Sequence, residues 1–178
     1  MSATPTITTA RLRLRGHRRD DLDAAAAMWG DPSVVRHIGG RPFGRSEVWA
    51  RILRYVGHWD VMGYGFWAID ELATGAFVGE VGVAEFERSI DPPIGAYECG
   101  WVLAPAAHGR GFATEAVTAM LGWCDRTLAV PRVTCMIDEA NAASLAVARK
   151  CGFREFARAP YDGDTAVLSE RLRPDAIA

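Results

Sequence analysis

The chain is short of several features that would settle its class at once. Lys150 is the only lysine, so nearly all of its positive charge is carried by arginine. That bias is read as codon usage rather than function. The formal net charge is −2, which leaves no electrostatic footprint for DNA or RNA. No stretch approaches the ~20 apolar residues of a membrane span, and "MSATPTITTARLRLR" lacks the long apolar run of a signal peptide. The four cysteines, Cys99, Cys124, Cys135 and Cys151, form no C-x-x-C pair and show no metal-like spacing. His17, His37, His58 and His108 are scattered. The expectation is a reducing, cytoplasmic location, no metal, no nucleic-acid partner and no membrane partner.

What is present reads as one α+β domain over residues 1–178, on a mixed sheet. "RLRLR" alternates Leu12 and Leu14 against arginines, as a half-buried strand does. "DDLDAAAAMWG" starts acidic, runs through alanines and stops at Gly30, which predicts a helix. "SEVWARILRYVGHW" predicts a second helix, with Ser46 as N-cap and Trp49, Ile52, Leu53 and Val56 on its apolar face. "GFWAID" and "FVGEVGVAEF" read as strands around an Ala73-Thr74-Gly75 turn. "AYECGWVL" is a further strand ended by Pro105. After a glycine loop, Ala113, Ala116, Val117, Met120, Leu121, Cys124 and Leu128 recur at helical spacing. "RVTCMID" is a strand, "NAASLAVARKCGF" a helix between Asn141 and Gly152, and "FREFARA" and "AVLSERL" are final strands.

The loop "AHGRGFATEA" carries the chemistry. Glycines let backbone N–H groups turn inward and let a ligand approach without a Cβ in the way. Successive N–H groups of this kind form an anion nest, and the first turn of the following helix adds its free donors and positive dipole end. Gly109, Arg110, Gly111, Phe112, Ala113 and Thr114 supply such a series. A pyrophosphate fits it, with Arg110 adding a charge; a tight strand-to-helix turn is the plainer alternative. The loop lacks the G-K-[ST] ending of a phosphate-binding P-loop. It also lies too late in the chain for a dinucleotide fingerprint, which opens on a first strand.

Three segments in order give the chain a wider likeness. "TARLRLR", "YECGWVLAPAAHGRGFATEA" and "NAASLAVARKCGF" are similar to the opening strand, the central strand with its acetyl-CoA loop, and the late N-x-x-S…G-F helix of the GNAT acetyltransferases. The likeness is to the RimJ/RimL-like branch and covers almost the whole chain. It implies a mixed, mostly antiparallel twisted sheet with helices on both faces and a splayed central strand pair. It implies an acetyl-CoA-dependent N-acetyltransferase that moves acetyl to a primary amine, by direct transfer in a ternary complex. A non-catalytic acyl-CoA-binding module on the same fold is the alternative.

The resemblance also implies roles. Trp101, Val102 and Leu103 would pair with the pantetheine arm. Gly109 to Thr114 would hold the pyrophosphate. His108 stands where the family has Gln or Arg, which implies a weakened or pH-dependent phosphate contact. Glu98 is the candidate general base, with a salt-bridged strand residue as the plain alternative; Glu80 is a second carboxylate. Asn141 would contact pantetheine or simply cap its helix. Ser144 would protonate the departing thiolate. The early helices and "GHWDVMGYGFW" would wall the acceptor, with Trp49, Trp59, Tyr64, Phe66 and Trp67 as candidates and core packing as the simpler role for most of them. A protein N-terminus, a polyamine, an amino acid and an aminoglycoside all remain open, as do a monomer and a homodimer. The net charge leans toward a cationic acceptor but is too small to decide.

Overall fold

The computed structural model describes residues 4–174. Eight strands form one sheet in the order β1-β2-β3-β4-β5-β6-β8-β7. They are β1 (Ile7–Thr8), β2 (Leu12–Arg15), β3 (Phe66–Glu71), β4 (Phe77–Ala84), β5 (Glu98–Leu103), β6 (Arg132–Asp138), β7 (Arg154–Tyr161) and β8 (Asp164–Leu172). Every neighbouring pair is antiparallel except β5 and β6. That parallel pair is in register at one position only, Glu98 opposite Thr134. Beyond it the strands part, so the sheet is splayed at its centre.

Alternation along the strands sorts the side chains into two faces. Leu12, Leu14, Ile69, Val81, Val83 and Cys99 pack into one core with α4 (Phe112–Trp123), which buries Ala116, Val117 and Met120 there. Glu80, Gly82, Glu98, Gly100 and Val102 fall on the other face by the same period. There α1 (Leu22–Trp29), α2 (Pro32–Val35) and α3 (Arg45–Met62) share a second core built on Trp29, Val48 and Ile52. The last helix, α5 (Ala142–Lys150), packs against α4 and β6.

The sequence pattern misses three local features. α3 begins at Arg45 on a Gly44 cap, not on Ser46. Glu47 reaches back to accept the Gly44 N–H at 2.8 Å, satisfying an orphan donor that a serine cap would leave. Its buried stripe is Val48, Ile52, Tyr55 and Trp59, whereas Leu53 and Val56 are about half exposed, at 52% and 48%. α4 ends at Trp123 and passes into a wider turn, Cys124–Leu128, closed by Ala129 N–H on the Cys124 carbonyl at 3.0 Å. The cysteines are all buried free thiols.

A buried ion cluster ties the opening strands together. Arg15 on β2 donates to both oxygens of Asp21 (2.9 and 2.7 Å) and of Asp70 on β3 (2.7 and 2.8 Å). Burial alone would raise the Asp21 pKa. The Arg15 hydrogen bonds and the Arg18 N–H outweigh it and bring the pKa below the ordinary value.

Candidate active site

The splay leaves one edge of β5 without a ladder partner. Ala104 N–H donates to Val78 on the β4 side, and Tyr97 C=O accepts from Thr134 N–H on the β6 side. Backbone direction alternates along a strand, so the polar groups of Trp101 and the N–H of Leu103 face the gap. The backbone of Val102 instead faces β4, where it pairs opposite Glu80, and its side chain packs in the α1–α3 core. From Glu98 to Leu103 this open edge runs about 17 Å at normal strand rise.

At the far end of that edge stands the glycine loop. Gly109 (φ +73°) and Gly111 (φ +78°) both adopt the left-handed conformation that a Cβ disfavours. Among the described residues, none of the N–H groups of Gly109 through Thr114 donates a hydrogen bond within the protein. The first donor tied into α4 is Glu115, whose N–H reaches the Gly111 carbonyl at 3.1 Å. The loop is braced from behind. Glu115 accepts from Thr9 Oγ1 (2.7 Å), Arg11 N–H (2.9 Å) and Arg11 Nε (2.7 Å), and Arg11 Nη1 holds the Arg110 carbonyl at 2.9 Å. With that carbonyl fixed, the loop keeps a shape in which these N–H groups stay without a protein partner.

Two loop side chains are engaged elsewhere. The Arg110 guanidinium pairs with Glu71 at the end of β3 and lies 4.3 Å from the Phe112 ring centre, so it braces the loop. His108 Nε2 lies 2.9 Å from the Leu103 carbonyl. A carbonyl only accepts, so this nitrogen carries the proton. A donor toward phosphate then remains only at Nδ1, in the charged ring.

The near end of the open edge lies in a cleft of about 530 Å³. Glu98, Trp101, Val102, Asn141 and Ser144 all line it. Glu98 is 6% exposed and accepts from Arg88 Nε (2.6 Å) and Nη2 (3.0 Å); Arg88 Nη1 donates to the Tyr161 hydroxyl at 2.5 Å. Burial raises the Glu98 pKa, and the Arg88 bonds oppose the rise. Glu80 is fully buried on β4 outside the cleft lining, with Oε2 accepting from Trp29 Nε1 at 3.0 Å and His17 Nε2 3.4 Å from Oε1. It has no access to an acceptor. Asn141 caps α5 by accepting the Ser144 N–H at 3.1 Å while also lining the cleft.

The floor of the cleft is aromatic. Tyr55 stacks on Phe66 with ring centres 4.7 Å apart, and Phe66 lies over Gly82 and Gly100. A Cβ on Gly82 would come within 2.4 Å of Phe66 Cα, so this approach requires a glycine there, while a Cβ on Gly100 would press on the Phe66 ring at 3.1 Å. Of the aromatics expected to wall the acceptor, only Phe66 lines the cleft. Trp59 and Trp67 are buried edge-to-face against each other (4.7 Å) and against Trp123 (5.5 and 5.1 Å). Sequence reading missed Arg88, Tyr161, Trp29 and Tyr55. They lie outside the motifs, and only the fold brings all four to the cleft and sets Arg88, with Tyr161, against Glu98.

These features match a known architecture. The model of the acetyltransferase (GNAT) domain matches residues 11–154, and the chain belongs to that family. It is similar to a protein from Bordetella pertussis described as a GnaT-family acetyltransferase. The two are 30% identical with a TM-score of 0.83, over 94% of this chain and 99% of that one. It is 24% identical over 151 residues to the uncharacterized N-acetyltransferase p20 of Bacillus licheniformis, covering 84% of this chain and 83% of that protein. The fold also superimposes on RimL, the ribosomal L7/L12 alpha-N-protein acetyltransferase solved with coenzyme A. There the TM-score is 0.76 at 18% identity, over 94% and 98% of the two chains. The chain is thus a GNAT acetyltransferase, with RimL and other ribosomal-protein acetyltransferases among its structural neighbours.

Proposed function

We propose that the chain transfers an acetyl group from acetyl-CoA to a primary amine within a ternary complex. The observation that carries this reading is the run of unpaired N–H groups from Gly109 to Thr114, joined to the cleft by the open edge of β5. The loop donors suit a pyrophosphate. The Trp101 and Leu103 edge suits an amide-bearing arm, and Asn141, the cap of α5, lines the same cleft as Trp101.

Acetyl-CoA supplies the acetyl group as a thioester. The transfer forms one C–N bond, breaks one C–S bond, moves a proton off the amine and delivers one to the sulfur. Glu98 is the proton acceptor for the amine, directly or through a water. Its raised pKa strengthens it as a base, while Arg88 fixes its orientation and leaves carboxylate lone pairs available. The Trp101 N–H polarises the thioester carbonyl. Ser144 protonates the thiolate, and Tyr161, held by Arg88, is a second hydroxyl in the same cleft.

The Arg88 clamp is also what a non-catalytic acyl-CoA-binding module would show, since it gives Glu98 a structural use. A calorimetric titration with acetyl-CoA, without acceptor, followed by a screen of amines for CoA release, separates the readings. One-site binding with turnover supports the enzyme. Binding without turnover supports the module. Absence of binding overturns both.

A further inference from the structure

The α3 side of the cleft is lined by cations that, among the described residues, no carboxylate meets at ion-pair distance. Arg51 and Arg54 on α3 and Arg36 after α2 all line it. Arg51 is half-buried. Its guanidinium carbon sits 4.0 Å from the Trp29 ring centre and 5.0 Å from that of Phe43, and its hydrogen bond goes to the Tyr55 hydroxyl at 3.3 Å. Arg54 lies 5.8 Å from the Tyr55 ring centre. Among the described residues, none of the three has a carboxylate within 4.0 Å. By contrast, Arg88 in the same cleft and Arg11, Arg13, Arg15 and Arg171 outside it each hold at least one.

An arginine offers five N–H donors in a planar fork suited to a carboxylate. Arg51 spends one of them on Tyr55 and is held in place by aromatic faces, so its remaining donors are pre-aimed. The acids of the cleft do not answer these cations. Glu98 is taken by Arg88 and Asp138 by His37 at 2.5 Å. Asp162 and Asp164 stand at the β7–β8 turn, among the cleft lining but within 4.0 Å of none of these arginines. The cleft is therefore polarised, cationic along α3 and acidic at that turn.

We propose that the acceptor is an amine that also bears a carboxylate, gripped by Arg51 and Arg54 while the nitrogen faces Glu98. A free amino acid and an acidic peptide N-terminus share this chemistry. A polyamine would set cation against cation. The proposal rests on the transferase reading above and narrows its substrate.

The test is CoA release at saturating acetyl-CoA with matched amines. One pair is glutamate and its diamide. The other is a C-terminally amidated peptide beginning Asp-Glu and its Asn-Gln counterpart. Spermidine is the cationic arm. The carboxylate member of a pair should show kcat/KM at least about tenfold above its amide, as a charge-assisted bond is worth about one decade or more. Whichever pair shows the effect identifies the source. Arg51→Gln and the solvent-exposed Arg54→Gln should each raise KM for the carboxylate acceptor about tenfold, leaving the amide and acetyl-CoA affinity unchanged. Amides equal to acids, preference for spermidine, or variants that weaken both members alike would overturn the proposal. If acetyl-CoA binds and some amine is acetylated without charge preference, only the acceptor assignment falls. If acetyl-CoA does not bind, the transferase reading falls and takes this one with it.

Discussion

Glu98 is pulled two ways. Burial raises its proton affinity and Arg88 lowers it, with the first effect larger. A base in that position loses activity when protonated. The acidic limb of kcat/KM against pH should therefore titrate above the ordinary carboxylate range. Glu98→Gln should remove that limb and cut kcat by about 10²-fold or more, with acetyl-CoA affinity unchanged in the titration. A variant with wild-type turnover at every pH would exclude Glu98 as base. At the sulfur end, Ser144→Ala and Tyr161→Phe should differ: the hydroxyl that protonates the thiolate is the one whose loss lowers kcat without changing the KM for either substrate. Equal, undiminished rates in both would leave solvent as the donor.

Among the elements, the loop and α3 decide the site. Gly111 needs its left-handed φ of +78° to keep the loop N–H groups without a protein partner. Gly111→Ala should lower acetyl-CoA affinity at least tenfold in calorimetry while costing only about 1–2 kcal/mol of stability. Gly82→Ala acts on the other side, where its Cβ would meet Phe66 at 2.4 Å. It should destabilise the protein by roughly 1–3 kcal/mol and disturb the Tyr55–Phe66 floor, lowering the melting temperature and raising the acceptor KM together. The glycine loop and the Asn141 cap were legible because each is a local arrangement with a local signature. The face of α3 was not. Its stripe mixes tyrosine and tryptophan with aliphatics, and Leu53 and Val56 look as apolar as Ile52 until the sheet shows which side it covers.

For the molecule as a whole, the Arg15–Asp21–Asp70 cluster joins the opening strands to the start of α1. Asp21→Ala leaves a buried cation short of a partner and should cost about 3–5 kcal/mol in denaturant unfolding. The depressed Asp21 pKa sets the pH sign. With the folded value below the unfolded 3.8, this contribution is complete above that pH and is lost as pH falls through the lower, folded value. Unfolding followed below pH 4 should show the wild type losing stability faster than Asp21→Ala. Parallel curves would mean that the pair contributes nothing net.

β1 and α2, two and four residues long, leave no pattern to read, but the sequence by itself determined the remaining order of strands and helices, the glycine turn into α4, the capped start of α5 and the family. Each follows from neighbours in the chain, where spacing is geometry. The tertiary structure alone decided which carboxylate meets the cleft, because Glu80 and Glu98 sit on adjacent strands with the same outward parity. They differ only in that Trp29 and His17 close over one while the splay opens beside the other. It also decided where the unpaired arginines stand. No local pattern marks Arg51 as different from Arg41 or Arg45, since what sets it apart is that none of the described carboxylates comes within 4.0 Å of it, and that is a property of the folded chain.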